Sequence, residues 1–162
     1  MSAARDPDVP MLRHTLATLA YRAGKVLRDA PPGFGDYRPA DGGRTAVQIL
    51  SHMGDLFDWA LTMADGDPVW NEAHPLAWDA EVARFFAALE RFDARLASAR
   101  PLAQPATKIF QGPVADALTH TGQLAMMRRL AGAKMRGENY YRADITAGRV
   151  GGTQAAPKRE FD

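Results

Sequence analysis

The chain has 162 residues and a net charge of +1, with 46% hydrophobic and 24% charged residues. This ordinary globular composition gives no sign of the concentrated basic face that nucleic-acid binding requires. The absence of cysteine excludes disulfides, thiolate metal ligands and a cysteine nucleophile.

The N-terminus and the hydropathy pattern both predict a cytoplasmic protein. The segment MSAARDPDVP is polar and lacks the apolar core of a signal peptide. No apolar run approaches the roughly 18 residues that a membrane span needs. We therefore expect neither a membrane nor a nucleic acid as partner. The length suits a single domain over residues 1–162, with residues 1–5 frayed.

Apolar residues recur at helical spacing in four segments, and a loop rich in proline and glycine separates the first two. The first segment runs from about Pro10 to Asp29, where Pro31-Pro32-Gly33 follows and ends it. The second begins at Thr45, which has the spacing of a capping box with Gln48. It fades near residues 65–68, because an Asp-Gly-Asp-Pro run disfavours helix.

The third and fourth segments predict two further long helices. The third runs from about Leu76 to Ala99 and has the strongest helical period in the chain. The fourth is predicted over Gly112–Gly132. Gly112 would cap it, Pro113 suits its first turn, and Gly132 stands where a left-handed residue commonly ends a helix.

The rest of the chain, residues 134–162, is predicted to be an irregular tail. Lys134–Asn139 reads as a turn, and Gly148, Gly151 and Gly152 mark loose chain. No stretch of useful length alternates with a period of two, so no sheet is expected. Four amphipathic helices in one chain of this size predict an all-α fold, a four-helix bundle, and such bundles often place metal or ligand sites between facing helices.

One group of side chains stands out as a candidate metal site. Asp116 and His120 are four residues apart, so both project from one face of the fourth helix. His52, in the middle of the second helix, is the best candidate for a third ligand. Two imidazoles and one carboxylate, with positions left open for water, suit zinc, nickel, iron(II) or manganese. The competing interpretation is a helix-stabilising contact between Asp116 and His120.

Other polar and aromatic residues are weaker candidates for a functional site. Asp55, one turn beyond His52, is expected to be solvated, or else to orient a metal ligand. Gln123 lies on the face of His120 and can hydrogen-bond a ligand or a backbone group. Trp59 is most simply a core or interface aromatic. His14 is expected beside the apolar stripe of the first helix, and His74 is expected in a loop, either solvated or in contact with the rim of the site.

The sequence resembles the DinB-like (DinB/YfiT) superfamily of small metal-binding helical bundles over residues from about 8 to 133. The second-helix segment TAVQILSHMGDLFDWAL carries His52, and His120-Thr121-Gly122-Gln123 in the segment THTGQLAMMRRLAG resembles the family's His-x-Gly-Gln signature. The resemblance implies an up-down-down-up bundle, often a homodimer. It implies an ion held by a histidine of the second helix and an H-x-x-x-H pair of the last. His52 and His120 match two of these places, and Asp116 stands where the commoner ligand is histidine.

The resemblance sets the functional expectation, because characterised relatives include thiol-dependent transferases and isomerases and metal-dependent hydrolases. We expect a metal-dependent enzyme in which His52, Asp116 and His120 hold a divalent ion, with zinc or nickel expected before iron or manganese. The ion would activate water or a low-molecular-weight thiol, which must be a cosubstrate because the chain lacks cysteine. Gln123 and Trp59 would line the pocket for a small-molecule substrate. The alternative is a non-catalytic bundle that binds a small ligand or another protein, with a structural metal or none.

Overall fold

Four long helices form most of the part of the chain that the computed structural model describes, residues 6–161. They are α1 (Val9–Leu27), α2 (Ala46–Asp65), α3 (Trp78–Ala97) and α5 (Ala115–Leu130), with a short α4 (Ala106–Ile109) leading through a π-helical turn (Phe110–Val114) into α5. Two-residue strands, β1 (Gly137–Glu138) and β2 (Glu160–Phe161), and 3₁₀ turns at Phe34–Asp36 and Tyr140–Arg142 complete the described elements. The predicted all-α bundle is therefore confirmed, while the predicted fraying of residues 1–5 falls outside the described residues.

The second and third helices run in the same direction. Arg84 on α3 binds Asp55 near the middle of α2, and Arg95, three turns further along α3, donates to the carbonyl of Ala64 near the end of α2. Two parallel neighbours cannot be joined by a tight turn. The chain therefore returns along the bundle through residues 66–77, which we call the connector.

The remaining helix pairs complete the up-down-down-up order. Asp6, just before α1, accepts a hydrogen bond from the amide of Ala106 before α5, and Arg128 near the end of α5 donates to the carbonyl of Val26 near the end of α1. These two helices are therefore parallel. Arg13 near the start of α1 binds Asp93 near the end of α3 at 2.8 Å, so this pair is antiparallel.

The core consists of apolar side chains that all four long helices contribute. Phe57 of α2 contacts Phe85 of α3, with ring centroids 6.0 Å apart. Burial of each such side chain stabilises the fold by about 1.5–3 kcal/mol relative to exposure, so the apolar stripes hold the bundle together. No helix within residues 6–161 has the length and apolarity to cross a bilayer.

The helical run that carries two candidate ligands begins at Ala106, before the predicted start at Gly112, whereas the regular α-helix α5 begins only at Ala115. Gly112 does not cap it and Pro113 is not in its first turn, because both lie inside the π-helical turn that joins α4 to α5. Proline lacks an N–H group and its ring crowds the preceding turn, so an ordinary α-helical turn cannot accommodate it. The wider turn, in which the Ala115 amide donates to the carbonyl of Phe110, lets the helix continue through Pro113.

Two predicted helix ends are confirmed. The Thr45 hydroxyl accepts from the backbone of Gln48, and the Gln48 side chain accepts from the backbone of Thr45, which forms the predicted capping box. Gly132 has φ of +78° and follows the last turn of α5. The amide of Ala133 then donates to the carbonyl of Arg128 at 2.9 Å, an arrangement typical of a glycine-terminated helix.

The tail after α5 is irregular, as predicted, but it is packed rather than loose. Val150 lies in the core, and the side chain of Glu138 is fully buried against α1. This carboxylate accepts hydrogen bonds from the Tyr21 hydroxyl at 2.5 Å and the Lys25 ammonium at 2.8 Å. Burial, followed by the hydrogen bond to Glu138, raises the pKa of Tyr21 above its ordinary value. The glycines permit the tail's turns, while a buried ion pair holds it in place.

Candidate metal centre

Three side chains from two antiparallel helices converge at the middle of the bundle. His52 projects from α2, while Asp116 and His120 project from adjacent turns of α5. His52 Nε2 lies 3.2 Å from Asp116 Oδ2, and His120 Nε2 lies 3.4 Å from Asp116 Oδ1. One ligand atom from each residue lies within 4.8 Å of the others. The structure thus brings together the three residues that the sequence suggested, with both imidazoles facing one carboxylate.

These separations suit a small divalent cation. Nitrogen and oxygen ligands lie about 2.0–2.1 Å from zinc, so two ligands of a tetrahedral ion are roughly 3.4 Å apart. The two imidazole-to-carboxylate distances of 3.2 and 3.4 Å are close to that value. The side chain of Asp116 is 45% exposed, which leaves the group open to an incoming ion from the solvent side. The donor set and its spacing therefore fit a divalent metal.

The side-chain amide of Gln123 contacts the ring of His120. Its Oε1 lies 2.7 Å from His120 Nδ1. An amide oxygen accepts hydrogen bonds, so the tautomer of His120 that can donate to it carries its proton on Nδ1. In the neutral ring, Nε2 then presents a lone pair toward Asp116, which is itself an acceptor. A divalent cation bound between Nε2 and the Asp116 carboxylate, which are 3.4 Å apart, would satisfy both acceptors.

The connector contributes an aromatic residue that sequence reasoning missed at the site. The indole of Trp70 lies edge-on to the His52 ring, with centroids 5.5 Å apart, and its other neighbour is Trp59 at 5.6 Å. Trp59 is thus held beside the site through Trp70. The sequence places Trp70 in an irregular stretch, and no periodic pattern links such a stretch to a particular helix face.

Asp55 is buried, although it was expected to be solvated. Its side chain is 2% exposed, and it binds the guanidinium of Arg84 and the amide of Ala73 in the connector, the latter at 3.1 Å. It therefore positions the connector, and no contact with a metal ligand was found for it. The nearby Glu81 is fully buried and accepts from the connector amide of Leu76 at 3.0 Å and from Arg84 at 3.3 Å.

Arg84 is the shared cation of this buried group. Burial by itself lowers its pKa, but its hydrogen bonds to Asp55 and Glu81 and their negative charges more than compensate, so the pKa is raised. Arg84 also donates to the backbone carbonyl of Ser51 at 3.1 Å. The two carboxylates with their shared arginine fix the connector, and with it Trp70, against the face of α2 that carries His52.

Three cavities open around the candidate site, one beside each ligand. His52 lines a cavity of about 340 Å³ between α2 and the connector. Asp116 and Trp59 line a second of about 440 Å³. His120 and Gln123 line a third of about 510 Å³, whose walls are largely apolar. The three candidate ligands therefore border open space on more than one side of the group.

The other two histidines do not join the group. His14 is exposed on α1, and His74 lies in the wall of the cavity beside His52 without forming part of the ligand cluster.

Comparison with known proteins identifies the family. A model of the DinB superfamily matches residues 13–129, which include all four long helices except the ends of the first and last. No curated protein and no solved structure gave a match. The family match, the up-down-down-up helices and the convergent ligands agree, and the chain belongs to the DinB superfamily.

Proposed function

We propose that this protein is a metal-dependent enzyme of the thiol S-transferase or isomerase type, or a hydrolase, with a divalent ion held by His52, Asp116 and His120. The observation that carries this proposal is the convergence of two imidazole Nε2 atoms on the two oxygens of one carboxylate. Zinc or nickel suits these ligands best, and iron or manganese would also be accepted.

The residues around the ligands have defined tasks in this proposal. A divalent ion in the site would lower the pKa of a bound water or thiol, so that the nucleophile is available at neutral pH. Gln123 keeps the Nδ1 proton of His120 in place, which leaves Nε2 as the ligand atom. Asp116 supplies the negative charge that balances part of the ion's charge. Trp70 covers one side of His52 and limits water access there.

The cavities suggest where a substrate binds. Gln123 lies in the cavity beside His120 together with Met126, Met127 and Leu130, so an apolar electrophile would sit there with the Gln123 amide as its polar contact. Trp59 lies in the cavity beside Asp116 and offers an aromatic wall. These two residues are the proposed substrate contacts.

Two assays on zinc- or nickel-loaded protein test the proposal. In the first, a small thiol attacks an aryl chloride: the S–C bond forms, the C–Cl bond breaks, chloride leaves and the thiol proton passes to buffer. In the second, water hydrolyses a nitrophenyl ester. We expect at least one rate to depend on the ion and to disappear in Asp116→Ala, while His14→Ala retains it. Ion-loaded protein that accelerates neither reaction across a broad set of thiols and esters would contradict the proposal.

The non-catalytic alternative makes a different prediction for the same protein. A purely structural ion would raise thermal stability without any ion-dependent turnover. A packing role for His52 alone would give a stability loss in His52→Ala that added metal does not change. The homodimer that the family resemblance implies remains a proposal, which light scattering of the purified protein would test.

A further inference from the structure

Positive charge is concentrated where the tail packs against the end of α1. Three stretches of the chain meet there, residues 22–29, 128–142 and 158–161. They carry ten lysine and arginine side chains but only three carboxylates, those of Asp29, Glu138 and Glu160, so their surplus is seven positive charges. The whole chain has a net charge of +1, so its other residues are acidic overall.

Contacts among the described residues hold these three stretches together. The Arg128 guanidinium donates to the carbonyl of Arg28 at 2.7 Å, which joins the end of α5 to the end of α1. The Lys25 ammonium binds Glu138 at 2.8 Å and Glu160 at 2.7 Å, which joins α1 to both short strands. From its first to its last cation, this part of α1 spans about 9 Å, close to one Debye length in physiological salt, so the fields of neighbouring charges add.

Most of these cations have no anionic partner. Lys25 and Arg136 are the cations that bind Glu138 and Glu160. Seven other exposed side chains form no ion pair with any residue between positions 6 and 161. We call them the basic surface: Arg22, Arg28, Arg129, Lys134, Arg142, Lys158 and Arg159. Like charges this close repel one another, and a negatively charged partner would relieve that repulsion.

Large apolar and aromatic side chains are exposed beside the basic surface. Tyr141 is 97% exposed, Leu130 is 59% exposed and Phe161 is 51% exposed. Tyr141 follows Tyr140, whose ring centroid lies 4.2 Å from the guanidinium carbon of Arg22, while Leu130 ends α5 and Phe161 lies in β2. The basic surface does not line the cavities around the candidate metal ligands, so a partner would contact it from outside the bundle.

We propose that the basic surface docks the protein on a bilayer that contains anionic phospholipid, with its cations at the lipid phosphates and Tyr141 among the head groups. Guanidinium groups pair well with phosphate oxygens, and tyrosine is common at membrane interfaces. Single-stranded nucleic acid is the competing partner. Exposed Leu130 favours lipid, because an aliphatic side chain has no flat face on which a base could stack.

This inference goes against the sequence-based expectation that no membrane is a partner. That expectation used the hydropathy pattern and the total charge. Neither quantity reports a surface that folding assembles from distant segments. The basic surface concerns contact with the bilayer face and is independent of the proposed metal centre.

Co-sedimentation of the metal-free protein with lipid vesicles tests the proposal. Vesicles of phosphatidylcholine with about one third phosphatidylserine would be compared with vesicles of phosphatidylcholine alone. We expect binding to the anionic vesicles only. The binding should be lost at about 1 M salt, where the Debye length falls to about 3 Å. His52→Ala should bind as tightly as the unmodified protein, because His52 lies outside the basic surface.

Single substitutions then locate the contact. Each cation near an anionic bilayer strengthens binding about five-fold, so Arg28→Gln and Arg159→Gln should each lower the partition constant by about that factor. Lys108→Gln is the matched control, because Lys108 is also exposed but lies on α4, which Asp6 ties to the opposite end of α1. Tyr141→Ser should weaken binding without changing its salt dependence, since the phenol is uncharged at neutral pH.

Equal binding to the two kinds of vesicle would overturn the inference, and so would equal losses in Arg28→Gln and Lys108→Gln. Salt-dependent binding to a single-stranded DNA oligonucleotide, by protein that does not bind the anionic vesicles, would assign the basic surface to nucleic acid instead. The proposed enzyme can fail without affecting these results, because vesicle binding is measured without metal and without turnover.

Discussion

His120 Nδ1 lies 2.7 Å from Oε1 of Gln123, and a proton donated along this contact would leave the opposite ring nitrogen, Nε2, free to bind an ion. Replacing the amide by an apolar group would free the ring to rotate and to change tautomer. We expect Gln123→Leu to weaken binding of zinc about 10- to 100-fold, the usual effect of removing a group that orients a ligand. Competition titration against a zinc chelator would measure this. Gln111→Leu, on the exposed π-helical turn, is the matched control, and an equal effect there would contradict the orienting role.

Metal should also stabilise the fold through His52. At zinc concentrations 100 times the Kd, binding to the native state adds about 2.7 kcal/mol to the free energy of unfolding. For a chain of this size that corresponds to a rise in Tm of about 5–10 °C. We expect the rise in the unmodified protein and in His14→Ala, and none in His52→Ala. A zinc-dependent rise of the same size in His52→Ala would show that the ion binds elsewhere.

The buried carboxylates that hold the connector depend on one arginine. In Arg84→Met, Asp55 and Glu81 would keep charges in an almost fully buried setting without their cation. Loss of one partner from such a group destabilises a protein by about 3–5 kcal/mol. Urea unfolding would measure the change. Arg91→Met removes an exposed pair with Asp58, for which less than about 1 kcal/mol is expected, so equal losses in the two variants would refute the anchoring role.

The contact between the tail and α1 should make the protein sensitive to alkali. Burial and the hydrogen bond to Glu138 raise the pKa of Tyr21 above its ordinary value of 10.0. A raised folded-state pKa gives stability that is complete below pH 10.0 and is lost as the pH rises through the folded value. Tyr21→Phe should cost about 1–3 kcal/mol at pH 7, because Glu138 loses a hydrogen-bond donor.

In Tyr21→Phe the free energy of unfolding should also fall less steeply above about pH 10, because the variant lacks one group that titrates at alkaline pH. Burial lowers the pKa of Lys25, but hydrogen bonds to Glu138 and Glu160 raise it overall. Titration of Lys25 therefore preserves part of the alkaline decline in the free energy of unfolding when Tyr21 is replaced. Tyr141→Phe serves as control, since Tyr141 is 97% exposed. If the two variants have the same pH profile, the Tyr21 hydroxyl does not stabilise the tail.

The features that the sequence predicted well are those determined by residues close together in the chain. Helical periodicity located the four helices, and the capping box at Thr45 and the stop at Gly132 have local causes in the chain itself. The pairing of Asp116 with His120 follows from helical spacing. The assignment of His52 to the same site depends on which faces of the second and fourth long helices meet, and the family resemblance supported that assignment.

What the sequence could not predict depends on contacts between distant residues. Tyr21 and Glu138 are 117 positions apart, and Asp55 and Arg84 are 29 apart, so no spacing rule connects them. Gly54 matters for a similar reason: a Cβ there would lie 2.6 Å from Arg84 Nη1, so only glycine lets the guanidinium approach α2 as it does. Pro113 was misread because proline is typical of a helix start, and its accommodation in a wide turn depends on the surrounding packing.

X-ray absorption at the metal edge tests most directly whether His52, Asp116 and His120 hold one ion. The protein would be purified without chelator, loaded with one equivalent of zinc and compared with His52→Ala. The account predicts one tightly bound ion per chain whose spectrum fits two imidazoles and oxygen ligands at about 2.0–2.1 Å, with one imidazole lost in the variant. A preparation that retains no zinc, or a spectrum without imidazole scattering that is the same in both proteins, would contradict it.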